Sequence, residues 1–249
     1  DHAESLLREL LDEREAEARQ GRVVVAWTGG KDSTLTLHLW RQALARRGLQ
    51  GQVPLRALNL DTGLKFPEVL RFRDTLAAAW GVELHVARPE DEYLPLVQAA
   101  LREAGPKADP EAEQGTLPGA IPRPMADPAA CCRALKIEPL RRAVRELGIS
   151  VLLTGVRRDE HESRRDRPWR EQRQDPEHLL VHPILEFTEM DVWAYIAERD
   201  LPYCPLYAQG YRSLGCQPCT TLTLDGGERA GRDADKERLL AQLHDLGYF

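Results

Sequence analysis

Val23-Val24-Val25-Ala26-Trp27-Thr28-Gly29-Gly30-Lys31-Asp32-Ser33 runs without a break into Thr34-Leu35-Thr36-Leu37-His38-Leu39-Trp40. The apolar run is short and rich in β-branched residues, which predicts a buried strand, and the stretch from Ser33 to Arg46 has the length and spacing of a helix. Between them, two glycines allow a tight turn that aims backbone N–H groups at one point, where the positive end of the helix dipole also lies. That is the local design of an anion site. Lys31 adds a point charge, Thr28 and Ser33 offer hydroxyl donors, and Asp32 opens the helix. An ordinary Gly-Gly turn capped by Asp32 is the competing reading.

The pattern repeats outward from this loop. LRALNL (55–60) predicts a second strand, Pro67 to Trp80 a helix, VELHVA (82–87) a third strand, Glu138 to Leu147 a helix and SVLLTG (150–155) a fourth strand. Thr188 is placed to cap a helix reaching Arg199. Strand and helix in alternation imply an α/β fold, a parallel twisted sheet with helices on both faces in the Rossmann-like manner. Ala104 to Ala130 holds six prolines and three glycines, so 104–130 is expected to be a long flexible loop. The chain reads as a single domain over 1–249, with 203–249 a turn-rich segment that packs back on it and ends in a short helix over 235–246.

Composition narrows the functions. The 249 residues carry 34 basic and 40 acidic side chains, a net charge of −6, and 30% of positions are charged. Mean hydropathy is −0.47, and no apolar run approaches the roughly 18 residues that cross a bilayer. Residues 1–20 form a charged amphipathic stretch rather than a secretion signal, so a cytoplasmic location without membrane contact is expected. Charge is uneven: Arg133 to Arg173 holds twelve basic and seven acidic residues, a local excess able to dock an anion. No aromatic-rich basic face accompanies it, which makes nucleic acid an unlikely partner.

Two further loops begin where strands end, and ligands of open parallel sheets sit beyond the carboxyl ends of the strands. In the first, Asp61, Thr62 and Gly63 precede Lys65. Asp61 could hold Mg²⁺ or a nucleotide group there, or be a simple turn residue. In the second, Gly155 precedes Arg157 and Arg158, which suit bidentate contact with phosphate or sulfate. The later arginines, through Arg173, are interleaved with acids and read as a polar, mobile, salt-bridged segment.

Five cysteines in a chain of this size argue for metal or redox chemistry rather than disulfides. Cys131-Cys132 and Cys216-Gln217-Pro218-Cys219 form two pairs able to enclose one metal centre. Adjacent side chains diverge, which suits a [4Fe–4S] cluster better than a single zinc ion. A redox pair or inert buried thiols are the alternatives, and Cys204 reads as a small core residue.

TGGKDS, LDTGLKFPE, GVRRDEHESR, HPILEFTEMDVWAYI and YRSLGCQPCT resemble the superfamily that joins the ATP sulfurylase small subunit to the adenylylsulfate (APS) and phosphoadenylylsulfate (PAPS) reductases, within the ATP pyrophosphatases of adenine nucleotide α-hydrolase-like fold. The resemblance covers nearly the whole chain and divides between branches. The cysteine pairs are similar to the [4Fe–4S] ligands of bacterial APS reductases. The intact Lys31 loop and the ERAGR end resemble the sulfurylase subunit, and no cysteine follows Cys219, whereas reductases carry a catalytic one in a Glu-Cys-Gly-Leu-His tail.

On that balance the first expectation is a nucleotidyltransferase that adenylates sulfate from ATP with release of pyrophosphate. Lys31, Asp61, Arg157 and Arg158 would be catalytic. Thr28 to Ser33, Asp61 to Gly63 and Gly155 would bind the nucleotide. ATP, Mg²⁺ and the cluster would be cofactors, and the family resemblance implies a GTPase-type large subunit. The alternatives are reduction of APS or PAPS with thioredoxin, ATP-dependent thiolation of nucleic acid, and a nucleotide-binding regulator without turnover.

Overall fold

In a computed structural model, which describes residues 2–103, 123–223 and 225–248, the strands expected around the glycine loop lie at the centre of one sheet. β1 (Val23–Ala26) pairs in parallel with β2 (Arg56–Leu60) on one side and with β4 (Val151–Leu153) on the other. β3 (Glu83–Ala87) continues the parallel sheet beyond β2, and β6 (Glu177–Val181) continues it beyond β4. The order is β3-β2-β1-β4-β6-β5, so the chain winds outward one way and then restarts on the other side of β1. The crevice between the carboxyl ends of β1 and β4 is therefore the topological switch point, where such sheets bind ligands.

Alternation along β1 explains the two layers. Val23 and Val25 pack into one core with Leu6, Leu7, Leu10 and Leu11 of α1 (His2–Arg19), Leu35, Leu37 and Leu39 of α2 (Lys31–Arg46) and Val192 and Ile196 of α7 (Glu189–Glu198). Val24 and Ala26 face the other core, with Leu140, Ala143 and Val144 of α6 (Glu138–Glu146). Each such buried Val, Leu or Ile side chain contributes about 1.5–3 kcal/mol. Trp27, completely buried, donates its indole N–H to Thr34 Oγ1 at 3.0 Å and ties the strand end to the helix it feeds.

α3 (Pro67–Trp80) matches its expected bounds and stops at Gly81 in the left-handed region, a position glycine fills without steric cost. Thr188 caps α7 through the Asp191 N–H, as expected. Two elements differ. β5 (Arg170–Gln174) is an antiparallel edge strand hairpinned to β6, inside the segment read as mobile. Its sequence, REQRQ, carries no apolar alternation because it lies at the open edge, where charged side chains protect against further pairing. The C-terminal helix is two short ones, α8 (Ala234–Arg238) and α9 (Leu240–Asp245), divided at Leu239. Of the loop expected over 104–130, residues 104–122 lie outside the described residues; α4 (Leu94–Glu103) precedes them, and α5 (Pro128–Cys132) already occupies the far end.

Among the described residues no helix is long and apolar enough to cross a membrane.

Candidate functional site

Three segments meet at the switch point. The loop after β1 turns through Gly29 at φ +82°. Gly155, after β4, approaches so closely that a Cβ there would stand 2.7 Å from the Ser33 nitrogen. The 203–248 segment then covers the crevice, bringing Tyr207, Arg229, Arg232 and Lys236 against Thr28, Gly30, Asp32 and Ser33.

The glycine loop is satisfied from within. Gly30 N–H donates to Thr28 Oγ1 at 3.3 Å, Thr28 N–H to Ser33 Oγ at 3.2 Å, and Lys31 N–H to the Tyr207 hydroxyl at 2.9 Å. Lys31 is only 1% exposed. Burial alone would lower its pKa, but Asp32, Tyr207 and Glu228 hold it above the usual lysine range. Its Nζ lies 2.9 Å from Asp32 and 2.5 Å from Glu228. Arg157 is fully buried and bonds the same two carboxylates, at 2.7 Å to Asp32 and 2.5 Å to Glu228. Glu160 accepts from Arg164 and Arg229; burial opposes its charge, but these cations bring its pKa down to about 2. The cations on this side of the crevice are thus matched by acids.

The other side is built around the cysteines. α5 ends in Cys131-Cys132 and passes into a π-helical turn, Arg133–Ile137, before α6. The extra residue per turn rotates Lys136 into the crevice, and such π segments often occur at functional positions. Cys216 and Cys219 arrive on a single 3₁₀ turn that is fastened to the Asp61–Lys65 loop: Gln217 N–H donates to Leu64 O at 2.8 Å, and Thr62 Oγ1 lies 3.3 Å from Cys216 Sγ. All four cysteines are buried, unpaired with one another, and line one cavity with Lys136 and Lys236. The two sequence pairs are therefore brought together.

Among the described residues, the group of three or more His, Cys, Asp or Glu ligand atoms lying within 4.8 Å of one another is Asp32, Glu160 and Glu228, not the cysteines. Tetrahedral zinc, with Zn–S near 2.3 Å, needs sulfurs about 3.8 Å apart. The wider spread of sulfurs fits a polynuclear centre. Their ionisation also suits ligation: burial raises the Cys216 thiol, but Lys136, Lys65 and Lys236 bring it down to about 6. Burial and the neighbouring cysteines push Cys131 up to about 12, so Cys216 is favoured as thiolate over Cys131 until a metal compensates the charge.

Lys65, Lys136, Arg232 and Lys236 line the crevice between these cysteines and the glycine loop. Lys136 and Lys236 are 5% and 2% exposed. Burial, together with Lys136 and Arg232, lowers Lys236 to about 8. None of the four makes an ion pair with a carboxylate among the described residues; Arg232 donates to Ser213 Oγ at 3.2 Å, while its Nε finds no partner. Lys136 lies 5.5 Å from the centroid of the Tyr248 ring. The anion they do meet is the Cys216 thiolate, which three of them favour; desolvated cations that outnumber their counter-charge are costly, so they mark where a further anion binds.

The residues expected to act are divided by this geometry. Thr28, Gly29, Gly30, Lys31, Asp32, Ser33, Gly155 and Arg157 meet at the switch point. Arg158 does not join them: it pairs with Glu186, donates to Arg167 O at 2.6 Å and lies over the Trp169 ring. Asp61 also stands apart, accepting from Gly63 N–H at 3.0 Å with Arg73 at 3.7 Å and Arg88 at 3.9 Å. It is a turn residue tied by guanidinium groups, a poor place for Mg²⁺. Thr62 lies against Cys216 and Gly63 beside Val97, on the cysteine side rather than at the phosphate loop. Cys204 is fully buried with Phe66, Val69 and Leu206, a core residue as read.

Sequence reasoning missed Lys136, Glu160, Tyr207, Glu228 and Lys236 as site residues. Lys136 follows Cys132 by four positions, a helical spacing that could have placed it beside the cysteines. Arg229 and Arg232 were visible within ERAGR only as a resemblance. Glu228 stood in the same ERAGR stretch, but nothing local tells a buried acid from a solvated one.

The comparisons with known proteins agree on the fold. Residues 22–222 match the phosphoadenosine phosphosulfate reductase domain family. An adenosine 5'-phosphosulfate reductase of Deinococcus radiodurans is 36% identical over 193 residues, 77% of this chain and 66% of the relative's length. A phosphoadenosine 5'-phosphosulfate reductase of Alkalilimnicola ehrlichii is 34% identical over 226 residues, 91% of this chain and 81% of the relative. The structure of a phosphoadenylyl-sulfate reductase from Candida auris superposes with a TM-score of 0.53 at 22% identity, covering 84% of this chain and 93% of that one. That of a Candida glabrata FMN adenylyltransferase gives 0.62 at 13% identity, covering 94% and 72%; both show the shared fold.

The relatives overturn the first expectation. At 33–36% identity they are named reductases of APS or PAPS, not nucleotidyltransferases that adenylate sulfate, and the GTPase-type large subunit loses its basis with that reading. The difference has a physical cause: a lysine in a glycine loop reads as free for a triphosphate, whereas Glu228 and Asp32 already occupy it. By the match over residues 22–222, the chain belongs to the phosphoadenosine phosphosulfate reductase domain family.

Proposed function

We propose that the protein reduces adenylyl sulfate, or its 3'-phosphorylated form, to sulfite, with Cys131, Cys132, Cys216 and Cys219 holding a [4Fe–4S] cluster and a thioredoxin-class dithiol as the electron source. One observation carries this reading. Lys65, Lys136, Arg232 and Lys236 form a cationic floor, without carboxylate partners among the described residues, between the nucleotide crevice and the cysteine cavity.

A phosphosulfate group, singly charged at both phosphate and sulfate, would enter this floor with its bridging oxygen within reach of the lysines. A thiolate attacks the sulfur, the S–O bond to phosphate breaks, and AMP leaves. Lys136 and Arg232 would stabilise charge gathering on the leaving phosphate. A second thiol then displaces sulfite, and the dithiol becomes a disulfide, which accounts for both electrons.

The cluster, when bound, supplies a compact anionic centre that orients Lys136 and Lys236. None of the five cysteines offers an exposed thiol: four line the metal cavity, and burial raises Cys204. The attacking thiol is therefore one other than these five.

The test is anaerobic incubation of the purified chain with adenylyl sulfate and reduced thioredoxin. Sulfite and AMP are expected in equal amounts, with one dithiol consumed per sulfite. AMP without sulfite, or neither product, would refute reduction.

A further inference from the structure

The glycine loop looks ready for a diphosphate, yet its charge is already matched. Glu228 reaches it from the C-terminal segment, its side chain 7% exposed, with one carboxylate oxygen 2.5 Å from Lys31 Nζ and the other 2.5 Å from an Arg157 nitrogen. Asp32 completes the ring from the helix side. Two cations face two carboxylates, so the ring is neutral. The loop amides are likewise taken, with Lys31 N–H on the Tyr207 hydroxyl and Gly30 N–H on Thr28. A β,γ-diphosphate would have to displace Glu228 or lie beside it, like charge against like, away from bulk solvent.

We infer that Glu228 is a built-in carboxylate occupant of the phosphate loop, a specificity-determining residue that restricts the crevice to adenylates without β- and γ-phosphates and so excludes ATP. The inference rests on the adenylyl sulfate reading above for its substrate class and deepens it. Substrate phosphate and sulfate use the unmatched cations near the cysteines, while the ancestral anion loop fastens the C-terminal segment over the crevice. Glu160, Asp32 and Glu228 lie close enough to suggest a cation site, but Lys31, Arg157, Arg164 and Arg229 already neutralise them.

The experiment uses the full chain, inorganic pyrophosphate, AMP and ATP as calorimetric ligands, and thermal unfolding as a second readout. Wild-type protein should bind AMP at least tenfold more tightly than ATP and bind pyrophosphate negligibly. Glu228→Gln, which keeps the shape and removes the charge, should unfold at a lower temperature, bind pyrophosphate at least tenfold more tightly than wild type, and recover its unfolding temperature when pyrophosphate is added. Glu228→Asp should keep the wild-type discrimination.

Equal affinity of the wild type for ATP and AMP overturns the inference, as does a folded Glu228→Gln that gains no pyrophosphate binding. If Glu228→Gln does not fold, the wild-type ratio of AMP to ATP affinity decides. Pyrophosphate gain in a protein that releases no sulfite from adenylyl sulfate would support the role of Glu228 and sink only the reductase reading.

Discussion

Two sides of one crevice carry similar numbers of cations and opposite states of balance. At the carboxyl end of β1, Lys31 and Arg157 share Asp32 and Glu228, and Arg229 is divided between Glu160 and Glu237. Toward the cysteines, Lys136 and Lys236 are as deeply buried, but no carboxylate meets them among the described residues. The difference teaches that a phosphate motif marks where an anion can bind, while the local charge sum decides where one does. A buried cation already paired gives little to an incoming ligand; a buried unpaired one gains its counter-charge only when the ligand arrives.

The comparison breaks first at the cysteines. Cys216→Ser removes the sulfur whose thiolate is favoured by three lysines, and iron–sulfur clusters are held by cysteine thiolates. Anaerobically purified wild type should hold about four irons per chain, and the variant less than one. A variant with full iron content, or a wild type holding stoichiometric zinc instead, would dismantle the cysteine side of the contrast.

The two sets of cations give the next largest effect. Lys136→Met should lower kcat/KM for adenylyl sulfate by about 10²–10³, the loss seen when one preorganised donor to developing charge is removed. Removing a matched pair, Lys31→Met with Glu228→Gln, should cost less than about tenfold, because neither charge is then left buried alone. Steady-state sulfite release measures both. Equal losses would mean that the balanced side handles the reacting groups as well.

How much of this could be read in advance follows the range of the forces. Val23–Ala26, Gly29, the helix from Pro67 and the Thr188 cap are local: periodicity, a positive φ and a capping hydroxyl are written within a few residues. The pairing of Cys131-Cys132 with Cys216 and Cys219 was legible because cysteines are rare enough to announce a shared purpose. β5 was not, since an edge strand needs no apolar face. Arg157 and Arg158 are adjacent and alike in sequence, yet one is buried on Asp32 and the other lies over Trp169. The role of Glu228, within ERAGR, was hidden for the same reason: which charges neutralise which is decided by long-range contacts between segments nearly 200 residues apart.

The smallest effect concerns α2, the helix that connects the balanced loop to the core. His38 lies on its buried face against Trp80 and Tyr195, and neither ring nitrogen has a hydrogen-bond partner. Burial, then Arg41 and Arg199, lowers its pKa to about 4. An unfolded chain restores the ordinary value near 6.5, so between those two pH values the unfolded state binds more protons than the folded one. Stability from this residue is therefore complete above about pH 6.5 and is lost as pH falls toward 4, by about 1 kcal/mol per pH unit. For a chain of this size that lowers the unfolding temperature by about 2–4 °C per unit. Glu160, held near 2 by its arginines, stays ionised through the same interval. Unfolding temperatures measured between pH 7 and 5 should thus fall in the wild type and fall less in His38→Leu. If both slopes are the same, the acid sensitivity belongs to other buried groups, such as His178 and His182, whose pKa values burial also lowers, and not to His38.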